Sequence, residues 1–130
     1  MHIEHVALWV RDLEQMRFFY ETYFGATAND KYVNDRKGFL SYFLSFPDGG
    51  PRLEIMQMPN IQENQADGLT QRMGYAHIAC SVGSEATVDE LTDRLRKDGY
   101  EIVDGPRRTG DGYYESVVFD PEHNRVEITV

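Results

Sequence analysis

Residues 5–25 read HVALWVRDLEQMRFFYETYFG, and this stretch decides how the remainder of the chain is parsed. Its first part alternates: Val6, Leu8 and Val10 point one way, His5, Ala7 and Trp9 the other, as in a strand buried on one face. Asp12 then stands at a helix N-cap, with Gln15 three residues on as its capping-box partner. Leu13, Met16, Tyr20 and Tyr23 or Phe24 follow at helical spacing, and Gly25 ends the run. A strand followed directly by a helix is therefore the opening unit.

The unit is used twice. His5-Val6-Ala7 returns as His77-Ile78-Ala79, a shift of 77 − 5 = 72. Arg52-Leu53-Glu54-Ile55 returns as Arg125-Val126-Glu127-Ile128, a shift of 127 − 54 = 73. Phe46, beside Pro47-Asp48, matches Phe119, beside Asp120-Pro121. The chain thus reads as one domain, 1–130, of two tandem modules, 1–58 and 74–130, joined by a polar connector at 59–73. Strands are expected at 2–10, 27–33, 38–46 and 52–58 in the first module, with a turn at Pro47–Pro51. In the second they are expected at 75–82, 100–104, 112–119 and 125–130, around a helix capped at Ser84 or Thr87 and closed by Gly99. The fold class is α+β: two βαβββ modules whose mixed sheets carry a helix on one face and leave the other open around a cavity.

Parity then sorts the side chains. If Leu53 and Ile55 lie under the first helix, Arg52, Glu54 and Met56 face the open side with His5, Ala7 and Trp9. If Val126, Ile128 and Val130 lie under the second, Arg125, Glu127 and Thr129 face it with His77, Ala79 and Ser81. Two His and two Glu thus occupy matched, open-face positions. Imidazole nitrogens with carboxylate oxygens suit a divalent first-row metal. A lone strand His or Glu is ordinarily a hydrogen-bonded or solvated residue; the matched quartet is what makes His5, Glu54, His77 and Glu127 a candidate ligand set.

Composition narrows the partners. Hydrophobic residues make up 41% and charged residues 27%, a globular balance, and seven Phe, eight Tyr and one Trp suffice for a core and a lined pocket. The formal net charge is −9 and the basic residues form no long run. That argues against nucleic acid and against an anionic membrane surface. The one cysteine, Cys80, permits no intrachain disulfide, and the N-terminus lacks the pattern of a signal peptide, so a cytoplasmic location is expected.

The stretches HVALWVRDLEQMRFFYETYFG at 5–25, RLEIM at 52–56, GYAHIACSV at 74–82 and FDPEHNRVEI at 119–128 resemble glyoxalase I and the wider vicinal-oxygen-chelate superfamily of glyoxalases, bleomycin-resistance proteins and extradiol dioxygenases. The resemblance implies one divalent metal, Zn or Ni first and Fe, Co or Mn as alternatives, on His5, Glu54, His77 and Glu127. It implies a lactoylglutathione lyase-like enzyme that isomerises the hemithioacetal of a 2-oxoaldehyde and a thiol to a 2-hydroxyacyl thioester. Glu127 is then the favoured base and Glu54 its counterpart, and a homodimer is the expected assembly. Glu54 is discriminating, since fosfomycin-modifying relatives and extradiol dioxygenases use a His-His-Glu set and methylmalonyl-CoA epimerases place Gln there. A dioxygenase or epimerase, or a binding protein of the resistance type, remain the alternatives.

One position departs from that pattern. Glutathione-dependent glyoxalase I carries an Arg where this chain has Trp9, and Trp cannot pair with a glutathione carboxylate. Trp9 lies four residues, about 13 Å, from His5 on the same face, where a substrate tail or plain aromatic packing would each use it. Met56, Arg107 and Tyr113 are the other candidate substrate contacts, with Arg108 as an alternative anion contact. Parity allows only one of Tyr113 and Tyr114 to line a pocket. Cys80 reads as a small core residue, and His2 and His123 as solvent-facing.

Overall fold

A computed structural model of the chain describes residues 1–62 and 68–130, so part of the expected connector lies outside the described residues. The chain divides into two compact units, with the boundary between residues 64 and 65.

The first unit begins with β1 (His5–Trp9) and α1 (Leu13–Phe24), followed by β2 (Thr27–Ala28), β3 (Tyr32–Asn34), β4 (Phe39–Ser45) and β5 (Arg52–Gln57). Asp12 caps α1 by accepting from the Gln15 amide at 2.9 Å, as its spacing predicts. Gly25 closes the helix in the left-handed region at φ 64°. The strand order is β1-β5-β4-β2, with β3 also paired to β4; β1 and β5 are parallel and the other pairs antiparallel. The single strand expected at 27–33 is in fact two short ones, because the polar residues 29–31 interrupt it.

Register confirms the parity within this sheet. Val6 and Leu8 lie beside Leu53 and Ile55, and these beside Leu44 and Tyr42. Leu53, Ile55, Leu44 and Tyr42 are buried, as are Leu13, Met16, Phe19 and Tyr20 of α1. Phe19, fully buried, belongs to a stripe that the i, i+3, i+4 count ascribed to its neighbours. Val6 departs from expectation: it is 36% exposed. β1 is an edge strand, and α1 packs chiefly on β2, β4 and β5, so the helical stripe does not cover it.

The second unit repeats the plan with β6 (Ile78–Ser81), α2 (Glu85–Lys97), β7 (Ile102–Arg108), β8 (Tyr114–Phe119) and β9 (Arg125–Thr129), in the order β6-β9-β8-β7. Ser84, not Thr87, caps α2, accepting from the Thr87 amide at 3.1 Å. β6 is shorter than expected at its start, and His77 sits immediately before it. β7 runs further than expected, to Arg108. Val88, Leu91 and Leu95 pack against Val118, Val126 and Ile128. Buried among them, the Thr92 hydroxyl meets the Val88 carbonyl and the Ser116 hydroxyl, each at 2.6 Å, which meets the hydrogen-bonding demand of two buried hydroxyls. Among the described residues no helix is long and apolar enough to cross a membrane.

One backbone irregularity matters for the open face. The β7–β8 register shifts between Ile102 and Asp104 and again between Asp104 and Arg107, which brings Arg107 opposite Glu115. Gly105 allows this: its φ is +79°, and a Cβ there would stand 2.5 Å from the Glu115 carbonyl oxygen. A Gly105→Ala variant should therefore lose on the order of 2–3 kcal/mol of stability, read as a lowered urea midpoint. An unchanged midpoint would show that the bulge relaxes freely.

Candidate metal and substrate site

The parity that buries Leu53 and Ile55 leaves Glu54 on the opposite face, in line with Ala7 on β1 and Phe43 on β4. His5, two residues before Ala7, lies on the same face. Its Nε2 is 3.8 Å from Glu54 Oε2. The second unit repeats the arrangement: Glu127 is in line with Ala79 and Val117, and His77 Nε2 lies 3.5 Å from Glu127 Oε2. Both carboxylates are largely shielded, at 14% and 17% side-chain exposure, whereas the imidazoles are more open.

These separations are informative. A charged N–H···O bond is about 2.7–2.9 Å long, so neither pair is hydrogen-bonded in the ordinary sense. Two donors each about 2.1 Å from one cation lie about 3.4 Å apart across a tetrahedral edge. The His77–Glu127 pair, at 3.5 Å, is close to that spacing, and the His5–Glu54 pair, at 3.8 Å, is wider. Among the described residues no group of three or more His, Cys, Asp or Glu side chains converges, so the two pairs are described separately.

A residue that the sequence reading passed over orients the first pair. His5 Nδ1 is engaged by the Glu4 carboxylate, which the Arg52 guanidinium also binds. The hydrogen bond from His5, followed by those from Arg52, holds Glu4 below the ordinary carboxylate range against the opposing effect of desolvation. With Nδ1 committed, Nε2 is the nitrogen turned towards Glu54, the usual arrangement behind a metal-binding histidine. Arg52 also lies over the Phe43 ring at 4.2 Å, and the His5 ring meets Phe43 edge-on at 5.2 Å. The strand expected over 2–10 begins only at His5, and its alternation, run back, would have set Glu4 on the face of Val6, away from this contact.

Glu115 is a second such residue. It is buried on the Glu127 face and 3.7 Å from Arg107. Burial first, then the neighbouring Glu127 charge, pushes its carboxyl up, and Arg107 pulls the other way. Arg107 bonds Asp104 at 2.6 Å as well, so its guanidinium spans two carboxylates on this face. Arg108 is turned to the helix side, where it pairs with Glu85. Tyr114 likewise faces α2 through Asp89, at 2.8 Å, which leaves the exposed Tyr113 as the tyrosine on the other side.

Trp9 and Met56 are in register on the Glu54 face, with Trp9 41% exposed and Met56 half-buried. A cavity of about 710 Å³ in the first unit lies elsewhere, between residues 2–4 and the 45–52 turn; it contains Glu4 and Arg52 but neither His5 nor Glu54. His2 lines it. His123 holds a positive φ of 65° in the Asp120–Asn124 turn and packs its ring on Phe119.

A model of the glyoxalase/bleomycin resistance protein/dioxygenase superfamily matches residues 2–128. An uncharacterised protein of Bacillus subtilis, YqjT, is 27% identical over 97% of this chain and 96% of its own length. Among solved structures, a glyoxylase/bleomycin resistance protein/dioxygenase domain from Frankia superposes with a TM-score of 0.82 at 20% identity, covering 100% of this chain and 97% of that one. The trypanothione-dependent glyoxalase I of Leishmania major superposes at 0.76 with 21% identity, covering 99% and 86%. A mutant of the fosfomycin resistance protein FosX of Listeria monocytogenes, complexed with Mn(II) and a dihydroxypropylphosphonic acid, superposes at 0.73 with 24% identity, covering 98% and 90%.

Cys80 stands apart from this chemistry. It shares the helix face with Ile78 and Ile128, and burial pushes its thiol up to about 11. At pH 8 the thiolate fraction is then about a hundredfold below that of an ordinary cysteine. Alkylation by iodoacetamide should be slower by about that factor in folded protein than in urea. Equal rates would place Cys80 in solvent.

Proposed function

This chain belongs to the glyoxalase/bleomycin resistance protein/dioxygenase superfamily, and from that premise we propose that it is a metal-dependent lyase of the glyoxalase I kind. His5, Glu54, His77 and Glu127 are its ligands, and its reaction converts the hemithioacetal of a 2-oxoaldehyde to a 2-hydroxyacyl thioester. The observation that carries the reading is the pair of His–Glu couples, at 3.8 and 3.5 Å, on register-equivalent positions of the two sheets.

When bound, a divalent cation would polarise two adjacent substrate oxygens and so acidify the intervening C–H. Every other step belongs to side chains of this chain. The Glu127 carboxylate takes the proton from the carbon bearing sulfur, and the same proton is delivered to the neighbouring carbon. Glu54 does the corresponding work on the opposite face of the substrate. The hydroxyl proton of the sulfur-bearing carbon passes to the oxygen of its neighbour as the two carbon–oxygen bond orders exchange, so atoms and electrons balance and no external oxidant or reductant is required. His5 and His77 would hold the ion, with Glu4 fixing the His5 ring.

The thiol is a separate matter. Trp9 offers no charge to a glutathione carboxylate, so a thiol other than glutathione is the better fit. Zn or Ni leads among the metals, with Fe, Co and Mn accepted by the same donors. A second copy of the chain is the expected partner, with the assembly read by light scattering.

Protein purified without a His tag should take up one equivalent of Ni²⁺ or Zn²⁺ per chain and turn over methylglyoxal with a suitable thiol. Glu127→Gln should lower kcat at least a hundredfold in the metal-loaded protein. Metal-loaded Glu127→Gln with full turnover contradicts the proton-transfer assignment, and failure to bind either metal contradicts the site. Glu4→Gln should weaken metal affinity about 10- to 100-fold with the fold intact. Unchanged affinity would remove Glu4 from the site's support.

A further inference from the structure

The two units provide an internal comparison. Read through their ladders, Ala7, Glu54 and Phe43 match Ala79, Glu127 and Val117; one step along, Trp9, Met56 and Ser41 match Ser81, Thr129 and Glu115. The first set keeps its carboxylate in both units. The second set is an indole, a thioether and a serine in one unit and three polar residues in the other. The same sheet plan therefore forms with Ser81 where Trp9 stands, and folding alone does not demand an indole there.

Trp9 does not stand alone. Phe39 meets it edge-on, with centroids 6.1 Å apart and planes at 88°. Tyr32 meets Phe39 at 5.9 Å and 61°. Tyr32 pairs with Ser41 across β3–β4, and Phe39 is two residues from Ser41, so all three rings share the Glu54 face. Trp9 is 41% and Tyr32 54% exposed. Trp9, Met56, Ser41, Phe39 and Tyr32 carry no formal charge, while the charged Glu4 and Arg52 lie at the His5 end of the same face. Successive edge-to-face rings leave faces and edges open to a further ring in the same packing mode.

We propose that Trp9, Phe39 and Tyr32 form the specificity subsite of the His5–Glu54 site, and that its occupant is an uncharged aromatic group of the substrate, joined to the oxygen pair. This rests on the function proposed above for the substrate's oxygens, and it specifies what lies beyond them. Trp9 and Met56 lie one same-face position, about 7 Å, beyond Ala7 and Glu54 along the ladder.

Trp9 is the only tryptophan, so its fluorescence reports this subsite alone. Hydroxyacetone and 2-hydroxyacetophenone present the same vicinal oxygens and differ in the ring. Zn²⁺-loaded protein should bind 2-hydroxyacetophenone at least tenfold more tightly, with Trp9 quenched, and equilibrium dialysis should give the same ratio. Phe39→Ala and Tyr32→Ala, which keep the reporter, should each reduce the ratio about threefold. Trp9→Ser, the residue of the matched unit, should bring it close to one by dialysis. Equal affinity for the two compounds, or a ratio that all three variants leave intact, overturns the proposal. So does Trp9 emission that shifts with protein concentration and ignores both compounds, since a second chain would then cover the rings. Ring selectivity in protein that takes up no Zn²⁺ would support the subsite while removing the metal-dependent reading.

Discussion

The alternation of side chains along β5 and β9 is the constraint on which the site depends. Leu53 and Ile55, and Val126 and Ile128, must lie under their helices, because that burial is the main apolar contact each sheet offers. A strand cannot satisfy that requirement without turning the intervening residue to the other face. Glu54 and Glu127 are those residues. Their carboxylates are shielded yet face an imidazole too distant for a direct hydrogen bond. A shielded carboxylate is costly to keep charged, and in the proposed site a divalent ion between the two donors would remove that cost. Core packing and site chemistry are thus two faces of one register.

Much of this was legible in the sequence, for identifiable reasons. The shifts of 72 and 73 exposed the duplication, and clean alternation in Arg52–Met56 and Arg125–Thr129 assigned the faces. The helix cap Asp12 was readable, and the second cap was narrowed to Ser84 or Thr87, because capping needs a short side-chain acceptor at one position. Other features were not legible. In Phe39–Ser45 both faces carry large apolar or aromatic side chains, so the pattern hides that Phe39 and Phe43 face away from Tyr42 and Leu44. The β7 bulge moves Arg107 relative to a simple count, and nothing in the sequence announces it except Gly105. Glu4 acts through its neighbour His5 from just before β1, where the alternation expected over 2–10 no longer holds. Val6 was assigned to the core by parity, which was right about its direction and silent about whether the helix reaches an edge strand.

The two units have diverged around a common element. Each keeps a His before or at the start of its first strand and a Glu in its last, and each surrounds that pair differently. The first adds Glu4, Arg52 and a run of aromatic rings; the second adds Glu115, Arg107 and Asp104. Membership of the superfamily fixes the fold and not the substrate, since function lies in the residues carried on the fold.

The central claim is that imidazole and carboxylate from these couples bind the metal. X-ray absorption spectroscopy of the Zn²⁺-loaded protein tests it most directly. The account predicts a shell of nitrogen and oxygen only, at about 2.0–2.2 Å, with scattering from two imidazole rings that disappears in the His5→Ala, His77→Ala double variant. A sulfur shell, or a spectrum that the double variant leaves unchanged, would contradict it.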